Sequence, residues 1–371
     1  MKLSIQRKDL LKKLTPLVAI TPNRSVKPIA ECIKLDLVGN TLTLFSTDLT
    51  ISMSCIIIDV EGKEDGSIVI PAKKFFQIIK EMPETQITLS LLNGSLKISA
   101  KKLKFNLPIT EDVDSFPTMP EGKSTDVLEL KSSIFKDYIE KTVFATSNDD
   151  LRPVLTGVLL SVKNDYLTMV ATDSIGLVKL VANGVKYSNK DIDIIIPAKT
   201  LRTIANSLTQ NDIVEISFED GFVICTIGTI IIYSRLVNGR YPAYNAIIPV
   251  NNETKPHIYR EELLKSLKSV GLSCSPITGL ISIHFDGDIA IIASEDNVTL
   301  SSAEDELTIT DNNNSIKMGF NIHKLTNILN SIDSDIVEFQ IGDENKPVLI
   351  KPITSSDTHE LTTLIMPVKV N

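Results

Sequence analysis

A chain of 371 residues with 43% hydrophobic and 23% charged residues has the composition of a globular protein. No apolar run approaches the ~18 residues of a membrane span, and the charged start Met1–Leu14 lacks the apolar centre of a signal peptide, so a cytoplasmic location is expected. The formal net charge of −8 argues, as a bulk figure, against nucleic acid.

In chain order the first predicted helix is Gln6–Ala19, with Leu10, Leu14 and Leu17 on one stripe and Pro16 expected to end or kink it early. Short β-branched strands follow at Ile33–Val38, Thr41–Phe45, Thr50–Ile58 and Ile68–Ile70. A second helix, Ala72–Met82, carries Phe75, Phe76, Ile79 and Met82 on one face, before strands Ile87–Leu91 and Leu96–Ala100. Turn pairs Gly39-Asn40 and Asn93-Gly94 separate strands. Further helices are predicted at Lys131–Ala145, Ala198–Leu208, Tyr259–Gly271 and Asn321–Ile332.

The order repeats. Leu42–Ser54 (LTLFSTDLTISMS), Leu167–Leu180 (LTMVATDSIGLVKL) and Ile289–Ala303 (IAIIASEDNVTLSSA) are versions of one block, with the acid after the strand at Asp48, Asp173 and Glu295. Each is followed by a second block, beginning at Ser67, Asp193 and Lys317, and by a third, beginning at Gln86, Asp212 and Asp335. Three copies of one unit decide architecture before any local assignment does. The expected fold is α+β: three repeated domains at 1–121, 127–249 and 251–371, each with two helices packed on antiparallel sheet.

Charge is divided by element. The six helical windows hold 16 basic and six acidic residues, a net of +10, whereas the remainder carries −18. Solvated helices usually mix signs. A basic helical surface on an acidic protein suits sequence-independent contact with phosphates. Without Trp, and with 5% aromatics, base stacking on single strands is disfavoured, so duplex is the expected ligand. The edges are also asymmetric: Ser95–Leu107 is rich in lysine, whereas Thr299–Ile309 contains Glu304, Asp305 and Glu306. Such a pair suits a head-to-tail contact between subunits, or simply two charged edges that guard against aggregation.

Catalytic chemistry is not evident. Asp48, Asp173 and Glu295 recur singly, without a partner His, Cys or second carboxylate, which suits turn capping. No phosphate-loop, dinucleotide, nucleophile-elbow or zinc motif occurs. Cys32, Cys55, Cys225 and Cys274 form no CxxC pair, and His257, His284, His323 and His359 are scattered; buried thiols and surface imidazoles are expected, with no cofactor or metal. A non-enzymatic scaffold is the expectation.

Across the whole chain the order and spacing of these segments resemble the bacterial DNA polymerase sliding clamp, the beta subunit of the replicative polymerase. The resemblance is carried by Met1–Leu14, Val69–Met82, Leu151–Leu160 (LRPVLTGVLL), Val170–Asp173, Lys179–Leu180, Leu236–Pro242 (LVNGRYP), Met318–Leu329 and Leu364–Val370 (LIMPVKV). It implies a head-to-tail homodimeric ring of six similar domains, helices lining the hole and sheets the rim, around duplex DNA held without sequence preference. Such a processivity factor tethers the replicative polymerase catalytic subunit, the clamp loader and repair proteins through a short linear peptide.

On this resemblance the DNA-facing residues are Arg24, Lys8, Lys12, Lys73, Lys80, Lys136, Lys141, Lys199, Arg202, Lys265, Lys268 and Lys324, with Asn148-Asp149-Asp150 at a second contacting loop. The implied dimer contact joins Lys74, Lys101, Lys102, Lys104, Phe105 and Leu107 to Leu272, Glu304, Asp305 and Glu306. The implied peptide pocket comprises Leu155, Thr172, Ser174, Ile175, Gly176, Leu177, Pro242, Ala246, Ile247, Leu364, Ile365, Met366, Pro367, Val368 and Lys369. Plain core packing is the other reading of its apolar members. Two departures stand out: Ser174-Ile175-Gly176 replaces the family's usual Gly-His-Arg, and Ala246 a frequent arginine. Both point to a less polar peptide preference. The alternatives left open are a monomeric interaction scaffold and a divergent second clamp with a restricted partner set.

Overall fold

The structure, a computed structural model, describes residues 1–371 except 110, 119–126, 186, 188–190, 210, 211, 220, 313, 355, 370 and 371. The expected link between the first two domains, after residue 121, lies outside the described residues.

The first repeat contains β1 (Lys2–Gln6), α1 (Arg7–Ile20), β2 (Cys32–Val38), β3 (Thr41–Thr47), β4 (Ile51–Ile57), β5 (Glu61–Glu64), β6 (Gly66–Pro71), α2 (Ala72–Glu81), β7 (Gln86–Leu92), β8 (Ser95–Ala100) and β9 (Leu103–Pro108). The second contains β10 (Val127–Lys131), α3 (Ser132–Val143), β11 (Gly157–Lys163), β12 (Tyr166–Thr172), β13 (Gly176–Ala182), β14 (Ile192–Pro197), α4 (Ala198–Ser207), β15 (Ile213–Glu219), β16 (Phe222–Ile227) and β17 (Ile230–Arg235). The third contains β18 (His257–Tyr259), α5 (Arg260–Val270), β19 (Leu280–Asp286), β20 (Ile289–Asp296), β21 (Ser301–Thr308), β22 (Ile316–Asn321), α6 (Ile322–Asn330), β23 (Ile336–Gln340), β24 (Val348–Pro352) and β25 (Glu360–Ile365).

The six expected helices are all present, because each stripe of the 3.6-residue period meets a sheet. In α2, Phe75, Ile78 and Ile79 are buried while Lys74, Gln77 and Lys80 are exposed. Of the two effects expected of Pro16, it does not end α1: the helix runs on to Ile20. Leu17, Val18 and Ile20, all buried beyond the proline, gain about 1.5–3 kcal/mol each. Together they outweigh the ~3 kcal/mol of an interior proline. At the β7–β8 turn Asn93 and Gly94 both have positive φ (47° and 72°), the pair of values a two-residue hairpin needs.

Strand order shows how the repeats join. The four sheets run β5-β1-β7-β8-β9, β10-β15-β16-β17-β4-β3-β2-β6, β14-β11-β12-β13-β25-β24-β23-β18 and β21-β20-β19-β22. Each eight-stranded sheet crosses a repeat boundary through one antiparallel pair, β17 with β4 and β25 with β13. The compact units therefore differ from the repeats: one is Met1–Lys136 with Lys199–Leu236, the other Asp137–Ala198 with Val237–Asn371.

Equivalent bonds lock the helices in every repeat. The first residue of the first helix donates its N–H to the segment after the second helix: Arg7 to Thr85 O (3.1 Å), Ser132 to Asp212 O (2.9 Å) and Arg260 to Asp335 O (2.8 Å). Arg7 and Arg260 add guanidinium bonds to carbonyls at or just after the C-terminal turn of α2 and α6, Arg7 Nε to Ile79 O and Arg260 Nε to Ser334 O, both 3.0 Å. These two basic residues are structural.

Candidate DNA-facing residues, peptide pocket and open strand edges

The recurring acids cap turns. Asp48 Oδ1 accepts from Thr50 N (2.9 Å) and Ile51 N (2.7 Å), and Asp173 Oδ1 from Ile175 N (2.9 Å) and Gly176 N (2.8 Å). In the third repeat the capping acid is Asp296, not the expected Glu295: its Oδ1 accepts from Val298 N at 3.0 Å, and Thr299 Oγ1 donates to its Oδ2 at 2.8 Å. Burial by itself would raise Asp48, but bonds from Ile51, Lys199 and Thr50 hold its carboxyl below the usual range. The Val298 N–H, then Thr299, hold Asp296 low as well. The first two acids also pair with a lysine of the next repeat's second helix: Asp48 with Lys199 and Asp173 with Lys324. The carboxylates are thus committed to structure.

The basic residues divide into three kinds. Lys8, Lys12, Lys80, Lys136, Lys265, Lys268, Arg202 and Arg24 are exposed. Lys12, Lys199 and Arg202 come together with Lys13 along one groove of about 710 Å³. Lys73 is half-buried and donates to Asn23 Oδ1, which ties the Arg24 loop to α2. Lys199 and Lys324 hold the turn acids just described.

Lys141 leaves the DNA-facing set. Its side chain is 5% exposed and its ammonium lies 2.7 Å from Asp137 and 2.5 Å from Asp333. It borders a cavity of about 630 Å³ with His359, whose ring packs edge-on to Tyr138 at 5.5 Å. His359 is buried, contrary to the expectation of a surface imidazole, and burial, then the Lys141 charge, lowers its pKa against the pull of Asp137 and Asp333. The second loop is internally bonded: Asp149 accepts from Leu151 N and Arg152 Nε, at 3.0 and 2.9 Å.

The expected pocket residues separate into buried and exposed members. Leu155, Thr172, Gly176, Leu177, Leu364 and Ile365 are buried. Gly176 pairs with Ile365 and Leu177 with Leu364 across β13–β25, and Met366 N donates to Ile175 O at 2.8 Å. Leu177 and Leu364 share a cluster with Leu159, Val170, Ile195, Tyr241 and Leu349. Ser174, Ile175, Pro242, Ala246, Ile247, Val368 and Lys369 are exposed, with Met366 and Pro367 half-buried. Two contributors escaped the sequence reading. Arg152 donates to Ser174 Oγ at 2.8 Å, placing a guanidinium beside the exposed 174–175 turn. Tyr241 is buried; its hydroxyl has no partner at full hydrogen-bond geometry, the Thr172 backbone being the polar group that faces it, and burial drives its pKa up. Ser174 has φ of 78°, a left-handed conformation that favours glycine.

Of the expected dimer residues, Lys101, Lys102, Lys104, Glu304 and Glu306 are exposed, Phe105 and Asp305 half-buried and Leu107 buried. Leu272 is 88% exposed and borders a second 710 Å³ cavity with Lys268 and Ile322. Lys74 is exposed on α2. The strands β9 and β21 each end a sheet, whereas their counterparts β17, β25, β4 and β13 are all paired across repeat boundaries.

Repeated α+β units joined edge to edge, with basic helices and acid-capped turns, define a DNA-clamp protein. Matches to the N-terminal, central and C-terminal domains of the DNA polymerase III beta subunit cover residues 1–120, 129–243 and 245–369. The beta sliding clamp of Staphylococcus epidermidis is 30% identical over 382 aligned positions, covering 100% of this chain and 99% of the relative. Crystal structures of the Pseudomonas aeruginosa sliding clamp, one with ligand and one bound to griselimycin, match at TM-scores of 0.93 with 25% and 26% identity, each over 100% of both chains. The chain belongs to the DNA polymerase III beta subunit family, the beta sliding clamps.

Proposed function

We propose that two copies of this chain, each with domains 1–121, 127–249 and 251–371, close head to tail into a cytoplasmic ring that slides on duplex DNA. The ring is a processivity clamp for the replicative polymerase. Its role is mechanical, with the turn acids fixed in capping bonds and not poised for catalysis. The observation that carries this reading is the pair of internal repeat junctions, both made by the same edge-to-edge pairing, alongside one lysine-rich and one acidic edge left over. Family membership favours the ring over a monomeric scaffold.

In this ring Arg24, Lys8, Lys12, Lys73, Lys80, Lys136, Lys199, Arg202, Lys265, Lys268 and Lys324 supply a positive lining that touches phosphates without reading bases. The pocket from Leu155 to Leu177 and Pro242 to Ile247, closed by Leu364–Lys369, takes a short peptide from the polymerase, the loader or repair proteins. Its rim supports a less polar peptide preference, since Ile175, in place of the family's usual histidine, is 46% exposed and Ala246 stands exposed where an arginine is frequent.

Light scattering on the purified chain tests assembly: twice the 40.8 kDa chain mass at micromolar concentration is expected, and a monomer overturns the ring. Calorimetric titration tests the pocket: a peptide with leucine and phenylalanine anchors binds, and charged flanks add less than they do for the Pseudomonas aeruginosa clamp. Equal gains from the charged flanks in both proteins contradict the altered preference.

A further inference from the structure

The two internal junctions share one register. In the first, Ile230 faces Cys55; in the second, Leu361 faces Leu180. The hairpins that carry the acceptor strands are anchored on the turns Gly39-Asn40, Asn164-Asp165 and Gly287-Asp288, so Leu42↔Ile57 corresponds to Leu167↔Ala182 and to Ala290↔Leu307. Cys55, Leu180 and Asp305 are therefore equivalent. On the donor side Ser95↔Pro108 corresponds to Phe222↔Arg235, so Leu103 is equivalent to Ile230.

Resting on the ring reading above, in which β9 of one copy pairs antiparallel with β21 of the next, we propose that Leu103 faces Asp305 across that junction and that Pro108 makes it one hydrogen bond shorter than the internal ones. The register places Lys104 opposite Glu304, Lys102 opposite Glu306 and Asn106 opposite Ser302. All six residues are exposed in the single chain, so solvent face meets solvent face. Phe105 meets Ala303, and Leu107 meets Ser301, on the inner face. A slip of one residue sets the exposed face of one strand against the inner face of the other. A slip of two leaves at most one of the two lysine–glutamate pairs.

Pairing at the internal junctions continues past the strands. Ile56 N donates to Thr229 O at 3.1 Å, the position equivalent to Glu306 and Lys102. At the other end Arg235 N donates to Thr50 O at 3.4 Å, and Met366 N to Ile175 O at 2.8 Å. The equivalent donor at the subunit junction is residue 108, a proline with no N–H, facing Leu300. The subunit seam is thereby the weaker one.

Cross-linking and dissociation test this on the full chain, in a Cys274→Ser background because Cys32, Cys55 and Cys225 are buried and Cys274 is not. Under mild oxidation Asn106→Cys with Ser302→Cys gives covalent dimers. Asn106→Cys with Leu300→Cys or with Glu304→Cys does not, since diagonal neighbours about 7–8 Å apart exceed disulfide reach. Pro108→Ala restores one donor per junction, each strengthening it about 2- to 12-fold, so subunit exchange slows by at least that factor. Dominant off-register cross-links in a chain that still has dimer mass overturn the register and spare the ring. Unchanged exchange for Pro108→Ala overturns the shortened seam. A parent chain that is monomeric by mass overturns the ring and the junction together.

Discussion

Lys141 offers a sharp separation between a structural and a DNA-binding role. Its ammonium is almost wholly enclosed, while its partners Asp137 and Asp333 have side chains 41% and 76% exposed. Lys141→Met removes the charge and keeps the linear stem, and both carboxylates rehydrate where they stand. Stability should stay within about 1 kcal/mol of the parent. The converse pair, Asp137→Asn with Asp333→Asn, leaves a buried ammonium without a counter-charge. Breaking a buried pair in this way costs about 3–5 kcal/mol. Water reaching the exposed carboxamides and the adjoining cavity of about 630 Å³ reduces that, to about 2–3 kcal/mol. At roughly 2–4 °C per kcal/mol, the transition of the 137–198 and 237–371 unit should fall by about 4–12 °C in scanning calorimetry. Lys141→Met should also leave DNA affinity unchanged. A melting loss for Lys141→Met as large as for the double variant, or a DNA defect matching that of Lys265→Gln, refutes the assignment.

Three further outcomes follow from named contacts. Ser174→Gly relieves a positive φ at the loss of one exposed bond from Arg152, and should raise stability by about 0.5–1 kcal/mol in urea denaturation; a loss contradicts the strain. His359 has its pKa depressed in the fold, so the stability gained by keeping it neutral is complete above its ordinary 6.5 and is lost as pH falls below 6.5 through the folded value. The parent's melting temperature should therefore drop more than that of His359→Gln between pH 7.5 and 5.5, and parallel curves contradict the reading. Replacing Lys12, Lys265 and Lys268 by Gln should flatten the dependence of log affinity on log salt by about 0.9 per lost phosphate contact; an unchanged slope removes them from the DNA face.

Much of this fold is legible in the sequence, because each helix carries its own stripe and each hairpin its own turn pair. What escaped is what depends on distant residues. The strands β1, β5 and β9 read poorly: β5 is Glu-Gly-Lys-Glu, and β9 is a short strand that ends in a proline. Glu295 and Asp296 are adjacent acids, and only the turn's N–H groups decide between them. Lys141 lies among basic residues on a helix, and nothing local announces Asp333, 192 positions away. The apolar cluster around Leu177 and Leu364 was legible, but Arg152 belongs to a different loop from Ser174, so the bond between them shows only in space. The repeats are plain in the sequence, yet the sheets ignore their boundaries, because pairing β17 with β4 and β25 with β13 removes edges that separate domains would expose.

Topological retention on duplex DNA is tested most directly by loading the ring onto nicked circular DNA, isolating the complex and linearising half of it. The ring should stay on the circle at 150 mM salt and run off the linear molecule within minutes, with blocked ends restoring retention. Equal loss from circle and line contradicts encirclement.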